Sequence, residues 1–131
     1  RIALRVAVSG TFKSGASDYT FHPTVSNESA ATYSGQASPG NSEINITGSY
    51  GPGNTLERHV DMLIYIFMPQ NANLKTFFRW VGVFESTSLG VSYADGVGKY
   101  DTVAAVDGVQ IISMLNTMEK GRITLYGVKH S

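Results

Sequence analysis

The sequence predicts an all-β chain folded as one antiparallel β-sandwich, jelly-roll-like in kind, and three observations carry that expectation. Apolar residues alternate with small or polar ones along short segments from Ile2 onward, the period of a strand with one buried face. Clusters of Gly, Pro, Asn and Ser separate these segments at close intervals, as they do in sandwiches and barrels. The 131 residues suffice for one core and not for two, so residues 1–131 are expected to form a single domain.

Ile2, Leu4, Val6 and Val8 alternate with Ala3, Arg5, Ala7 and Ser9, a half-buried strand that Gly10 ends, and Lys13 to Asp18 reads as a turn. Tyr19 to Val25 alternates more weakly. Pro23 has no amide to donate, which assigns this segment to a sheet edge or a bulge. Ser26 to Ser42 is expected to be a long loop, with a short extended piece around Thr32 to Gln36 and Pro39-Gly40-Asn41 as its clearest turn. Glu43 to Tyr50 alternates again through Ile44 and Ile46 until Gly51-Pro52-Gly53-Asn54 breaks the pattern. Leu56, Val60, Leu63, Ile64 and Phe67 then fall at helical spacing, with Asn54 or Thr55 as a cap. Val60 to Phe67 is also rich in β-branched and aromatic residues and apolar on both faces, which favours a central strand. Pro69 to Asn73 turns the chain. Lys75 to Glu85 is a strand carrying Thr76, Phe78 and Trp80, with Gly82 marking a bulge, and Ser86 to Asp101 is expected as a second, glycine-rich loop.

Thr102 to Lys129 is expected to close the sandwich with two strands. In the second, Ile123, Leu125 and Gly127 point one way and Thr124, Tyr126 and Val128 the other, and so regular a segment is expected to be sewn into a sheet. The string Ala105-Val106-Asp107-Gly108-Val109, followed by Gly121-Arg122-Ile123-Thr124-Leu125-Tyr126-Gly127-Val128-Lys129, resembles the closing signature of small β-sandwich domains in tailed-bacteriophage virion proteins. Phe78-Arg79-Trp80-Val81-Gly82 and the stretch Gly96 to Tyr100 are similar to the same pattern more loosely. The turn between the closing strands is here Asn116-Thr117-Met118-Glu119-Lys120 and departs from the family's Ser-Gly-Asn type, so no loop chemistry is carried over. The resemblance implies a jelly-roll-like module of fibres, spikes or head decorations, of a kind that commonly associates in threes. It implies no catalytic residue.

Ten basic residues balance ten acidic ones with no run of either sign. That argues against nucleic acid, which needs a basic stripe to displace counterions, and against an anionic membrane surface. Charged residues make up only 15% of the chain, against roughly a quarter in an average domain. Much of the surface is therefore Ser, Thr, Asn and Gly, or is buried against other subunits, and zero net charge favours self-association. The absence of cysteine excludes a disulfide framework and a thiolate metal cage. The longest apolar run, Met62 to Met68, falls far short of the ~20 residues that span a bilayer, so a soluble chain is expected.

Gly90-Val91-Ser92-Tyr93-Ala94 comes nearest to a nucleophile elbow but lacks its final glycine. His22, His59 and His130 are scattered, without the spacing of a zinc set; His59, two residues from Asp61 on one strand face, reads as half of a solvated polar pair. Gly96-Val97-Gly98-Lys99-Tyr100 lacks the spacing of a phosphate loop and has Tyr where a magnesium-binding hydroxyl belongs, so a flexible glycine loop is expected. Asp95, Asp101 and Asp107 would hold calcium only if the loop gathered them. Asn45-Ile46-Thr47 matches a glycosylation sequon in mid-strand and is set aside. Trp80, with half of its aromatic neighbours Phe77 and Phe78, is assigned to the core, and Tyr33, Tyr50, Tyr93 and Tyr100 to a contact surface.

No acid, base or nucleophile set can be assembled, and no metal or cofactor is expected. The expected function is structural: a bacteriophage virion subunit on the capsid or tail, a decoration or fibre protein without catalysis. Its expected partners are its own copies, as a homotrimer, and other virion proteins, with no nucleic acid and no membrane. The alternative is a receptor- or carbohydrate-binding module at a fibre tip. A binder should gather aromatic and polar groups in one concave site, whereas a structural subunit should spread contacts over flat faces.

Overall fold

Nine strands carry the regular structure, and no helix occurs among the residues that the computed structural model describes, which are 1–28, 38–52, 59–86, 88–114 and 121–127. In chain order they are β1 (Ile2–Val8), β2 (Thr11–Phe12), β3 (Tyr19–Asn27), β4 (Ser38–Asn41), β5 (Ile44–Asn45), β6 (Val60–Phe67), β7 (Phe77–Ser86), β8 (Gly90–Tyr100) and β9 (Gly108–Ser113). All pair antiparallel, in two sheets. In the first, β1 has β9 on one side and β2 and β5 end to end on the other, since Ala7 stands opposite both Phe12 and Gly108 and Leu4 opposite both Ile44 and Ile111. The second runs β4-β3-β8-β7-β6. Here β6, β7 and β8 form a meander and β3 lies beside β8, which is a Greek-key arrangement followed from the C-terminal side. Ile2, Leu4, Val6 and Ile44 of the first sheet meet Tyr19, Phe21, Phe78, Trp80 and Tyr100 of the second in one buried cluster. The chain is thus an antiparallel β-sandwich. Tyr19 bridges its layers, its hydroxyl accepting from the Val6 amide at 2.9 Å and donating to the Lys13 carbonyl at 3.0 Å.

Ser86 to Asp101 does not form the expected loop. Most of it is β8, the middle strand of the five, and its glycines face the core. Phe78 stands opposite Gly98, Trp80 opposite Gly96 and Phe84 opposite Ser92, while from β3 Phe21 flanks Gly98 and Val25 flanks Ala94. Large side chains on β3 and β7 stand beside small ones on β8, the alternation of sizes that close packing of a layer requires. A Cβ at Gly96 would overlap Cζ2 of Trp80 and stand 2.7 Å from the His22 carbonyl oxygen. Packing requires glycine there, and loop flexibility has no part in it.

Other local expectations shift for similar reasons. Pro39-Gly40-Asn41 is no turn but part of β4: Tyr19 pairs with Asn41 and Thr20 with Pro39, leaving Gly40, at φ 76°, as the extra residue of a β-bulge. Gly82, by contrast, sits in an unbroken ladder between Met62 and Ala94 and marks no bulge. Pro23 lies on β3 beyond the pairing with β4, which reaches only Phe21, so among the described residues it occupies an open edge as expected. Val60–Phe67 is a strand and not a helix, yet it is the edge of its sheet and not its centre. Leu56 and the piece expected at Thr32 to Gln36 lie outside the described residues.

The largest departure is at the C-terminal end. β9 forms, but residues 121–127 enter no sheet, and Ile123, Leu125 and Tyr126 are 74%, 85% and 81% exposed. Alternation shows which face a segment would bury once it has a neighbour. It does not supply the neighbour.

Candidate functional site

The side chains of β6 alternate strictly. Val60, Met62, Ile64 and Ile66 turn inward and pack on the core, so Asp61, Leu63, Tyr65 and Phe67 must turn outward. Register carries this outer face across the sheet in rows: Phe67, Phe77, Lys99 and Thr20; Tyr65, Arg79, Val97 and His22; Leu63, Val81, Asp95 and Thr24; Asp61, Val83, Tyr93 and Ser26. Leu63, Tyr65, Phe67, Phe77, Val83, Val91, Tyr93 and Val97 are each between 42% and 57% exposed. The rings of Tyr65 and Phe67 lie stacked, 6.4 Å apart and inclined by 20°. These apolar side chains share the face with Arg79, Lys99, Asp61 and Asp95, and a face with so many exposed apolar residues is a candidate interaction surface.

The face is nearly flat. Its depressions are shallow, about 170 Å³ beside His59, Asp61, Val83 and Val91, and about 300 Å³ beside Asp61, Leu63, Val81 and Tyr93. Pockets that engulf small ligands run from roughly 300 to 1,000 Å³; the smaller depression falls below that range, the larger lies at its lower limit, and both are open to solvent.

The motifs singled out in the sequence are dispersed by the fold. Ser92 is buried on the inner face of β8 and donates its hydroxyl to the Gly90 carbonyl at 3.2 Å. Gly96 to Tyr100 is strand and not a glycine loop. Asp95 faces outward, Asp107 accepts from the Gly10 amide at 2.8 Å, and Asp101 takes the Thr20 hydroxyl at 2.5 Å with Lys99 at 2.7 Å and Lys75 at 3.3 Å. The three aspartates therefore do not converge, and no group of three metal-ligating side chains occurs among the described residues. Burial pushes the Asp101 carboxyl up, but Lys99, Thr20 and Lys75 together hold it below its ordinary value. His59 and Asp61 share the rim of the smaller depression, His22 lies on the outer face across from Val97, and His130 is outside the described residues. Thr47 of the sequon is fully buried, accepting from the Ile2 amide at 3.1 Å.

Among the aromatics, Trp80 and Phe78 are core and Phe77 is exposed. Of the tyrosines expected at a contact surface, Tyr93 is exposed on the outer face of the sheet, Tyr50 is half-buried, Tyr33 is outside the described residues, and Tyr100 is buried against Tyr19 at 5.6 Å. Leu63, Tyr65 and Phe67 were not expected on an outer surface, yet the signal was present: a strand apolar on both faces either lies at the centre of a sandwich or displays one face to a partner. Compared with protein-family models, curated proteins and solved structures, the chain matches none.

Proposed function

We propose that this chain is a structural subunit of a tailed-bacteriophage virion, a decoration or fibre domain on capsid or tail that works as a homo-oligomer, a trimer by the resemblance, and catalyses nothing. The apolar outer face of the five-stranded sheet carries the self-associating half of this reading. Such a face in water favours association, and zero net charge leaves no long-range repulsion to oppose it. Closed rotational symmetry buries the surface without leaving a free copy to propagate a chain. The virion half rests on the closing signature in Thr102 to Lys129.

One observation favours the alternative of a carbohydrate-binding module: the stacked Tyr65 and Phe67 rings offer an aromatic platform. The flatness of the face favours the structural reading. Sedimentation velocity of the purified chain, beside a Leu63→Asp/Phe67→Asp variant, tests it, together with mass spectrometry of purified virions. The expected result is an oligomer that the variant weakens while it still unfolds cooperatively, its melting temperature falling only by what association contributed, and the chain among the virion proteins. A monomer at every concentration that binds glycans through Tyr65 and Phe67 would replace it with the binding module.

A further inference from the structure

The first sheet ends on an incomplete edge. Among the described residues β9 is paired on one side only, by β1, and its core-facing Val109 stays 38% exposed although Val6 across the ladder is fully buried. Ile111, next on that face, is only partly buried although it packs on the core. Among the described residues the layer is one strand short there, and an edge with uncovered core beneath it is a template for another strand.

Residues 121–127 have what that edge lacks. Ile123 and Leu125 alternate with Arg122, Thr124 and Tyr126, the segment takes part in neither sheet, and its apolar side chains stand in solvent. We propose that the C-terminal segment of one copy adds as a strand to the β9 edge of a second copy, so that the oligomer is held by exchanged strands. Ile123 and Leu125 then cover Val109 and Ile111, and Thr124 and Tyr126 stand beside Gln110 and Ile112 on the outer face. Main-chain bonds give affinity and the alternate side chains give register, as in other cases of strand addition. The acceptor is a second copy because residues 121–127, although they follow β9 closely in sequence, pair with no described strand of their own chain and leave Ile123 and Leu125 exposed. Exchange of an identical element is a low-cost route to a closed oligomer. This deepens the self-association proposed above and rests on it.

The test compares the full chain, a chain ending at residue 120, and an Ile123→Asp/Leu125→Asp variant by sedimentation velocity and thermal denaturation. The full chain should sediment as an oligomer, and both variants as monomers that still melt cooperatively. The two aspartates replace side chains that are exposed in a lone copy, so this variant decides the matter even if the shortened chain fails to fold. Because the chain has no cysteine, Gln110→Cys in one chain can be mixed with Arg122→Cys, Thr124→Cys or Tyr126→Cys in another and oxidised. A disulfide between chains is expected in at least one mixture. Three results would overturn strand exchange and leave association through the sheet face standing: an aspartate variant that keeps its oligomeric size, no link between chains in any mixture, or a link that closes within one chain when both cysteines are present. A full chain that is monomeric at every concentration would overturn both.

Discussion

Replacing Gly96 with alanine reverses the ordinary sign of such a change. Glycine inside a strand is roughly 0.5–1 kcal/mol less favourable than alanine, because the unfolded chain loses more freedom, so a reading from propensity alone predicts a stabilised protein. The added methyl would overlap the six-membered ring of Trp80, which is fully buried, and crowd the His22 carbonyl oxygen of the neighbouring strand at 2.7 Å. Neither can move freely, one being a rigid ring walled in by the core and the other backbone in a paired ladder. Overpacking of this kind costs roughly 1–3 kcal/mol and at times more, and the overlap places Gly96→Ala at the upper end. After the entropic gain, a net loss of about 2 kcal/mol remains, equivalent to a fall in Tm of roughly 5–10 °C for a domain of this size. Gly121→Ala is the control, since a Cβ there meets nothing within 4 Å, and should change stability by less than about 0.5 kcal/mol. Urea titration of the three proteins measures both. A Gly96→Ala protein as stable as its parent would refute the packing account of β8.

Thr47→Val should cost about 1–3 kcal/mol in the same titration, because it leaves the buried Ile2 amide without its acceptor, and Thr47→Ser should restore most of the loss. Asp101→Asn should flatten the acid limb of stability against pH. The carboxyl is held below its ordinary value of 3.8, so its contribution is present above that pH and is lost as pH falls through the lowered value. At neutral pH the same change should cost less than about 1 kcal/mol, as partly exposed ion pairs do. Burial, the leading cause, raises the Tyr19 phenol to about 12. Its contribution is therefore complete below the unfolded value of 10.0 and is lost as pH rises to about 12. Alkaline denaturation should accordingly be shallower in Tyr19→Phe, which is also less stable at neutral pH for want of the bonds to Val6 and Lys13.

The strands that sequence reveals most readily are those whose buried residues are large. β1 and β7 show period-two alternation of bulky side chains, and both lie where alternation places them. β8 was hidden because, apart from Tyr100 at its end, its inward residues are Gly90, Ser92, Ala94, Gly96 and Gly98, which carry almost no hydropathy signal and resemble a loop; the clue was on its outer face, where Val91, Tyr93 and Val97 keep the same period. β4 was hidden by Gly40, whose positive φ serves a bulge as readily as a turn. The C-terminal segment failed in the opposite direction, since its alternation is strong but it pairs with no described strand. The exposed face was half legible. Two-sided apolarity in Val60–Phe67 pointed to two buried faces, and only strand order and burial reveal that the second one is exposed at the outer face of the sheet.

Electron cryo-microscopy of virions from the source of this chain tests the central claim, that it is a virion subunit, most directly. The account predicts copies arranged about a rotation axis, with Leu63, Tyr65, Phe67 and Phe77 covered by another subunit. A chain standing alone on the particle with that face open to solvent, or absent from the particle altogether, would contradict it.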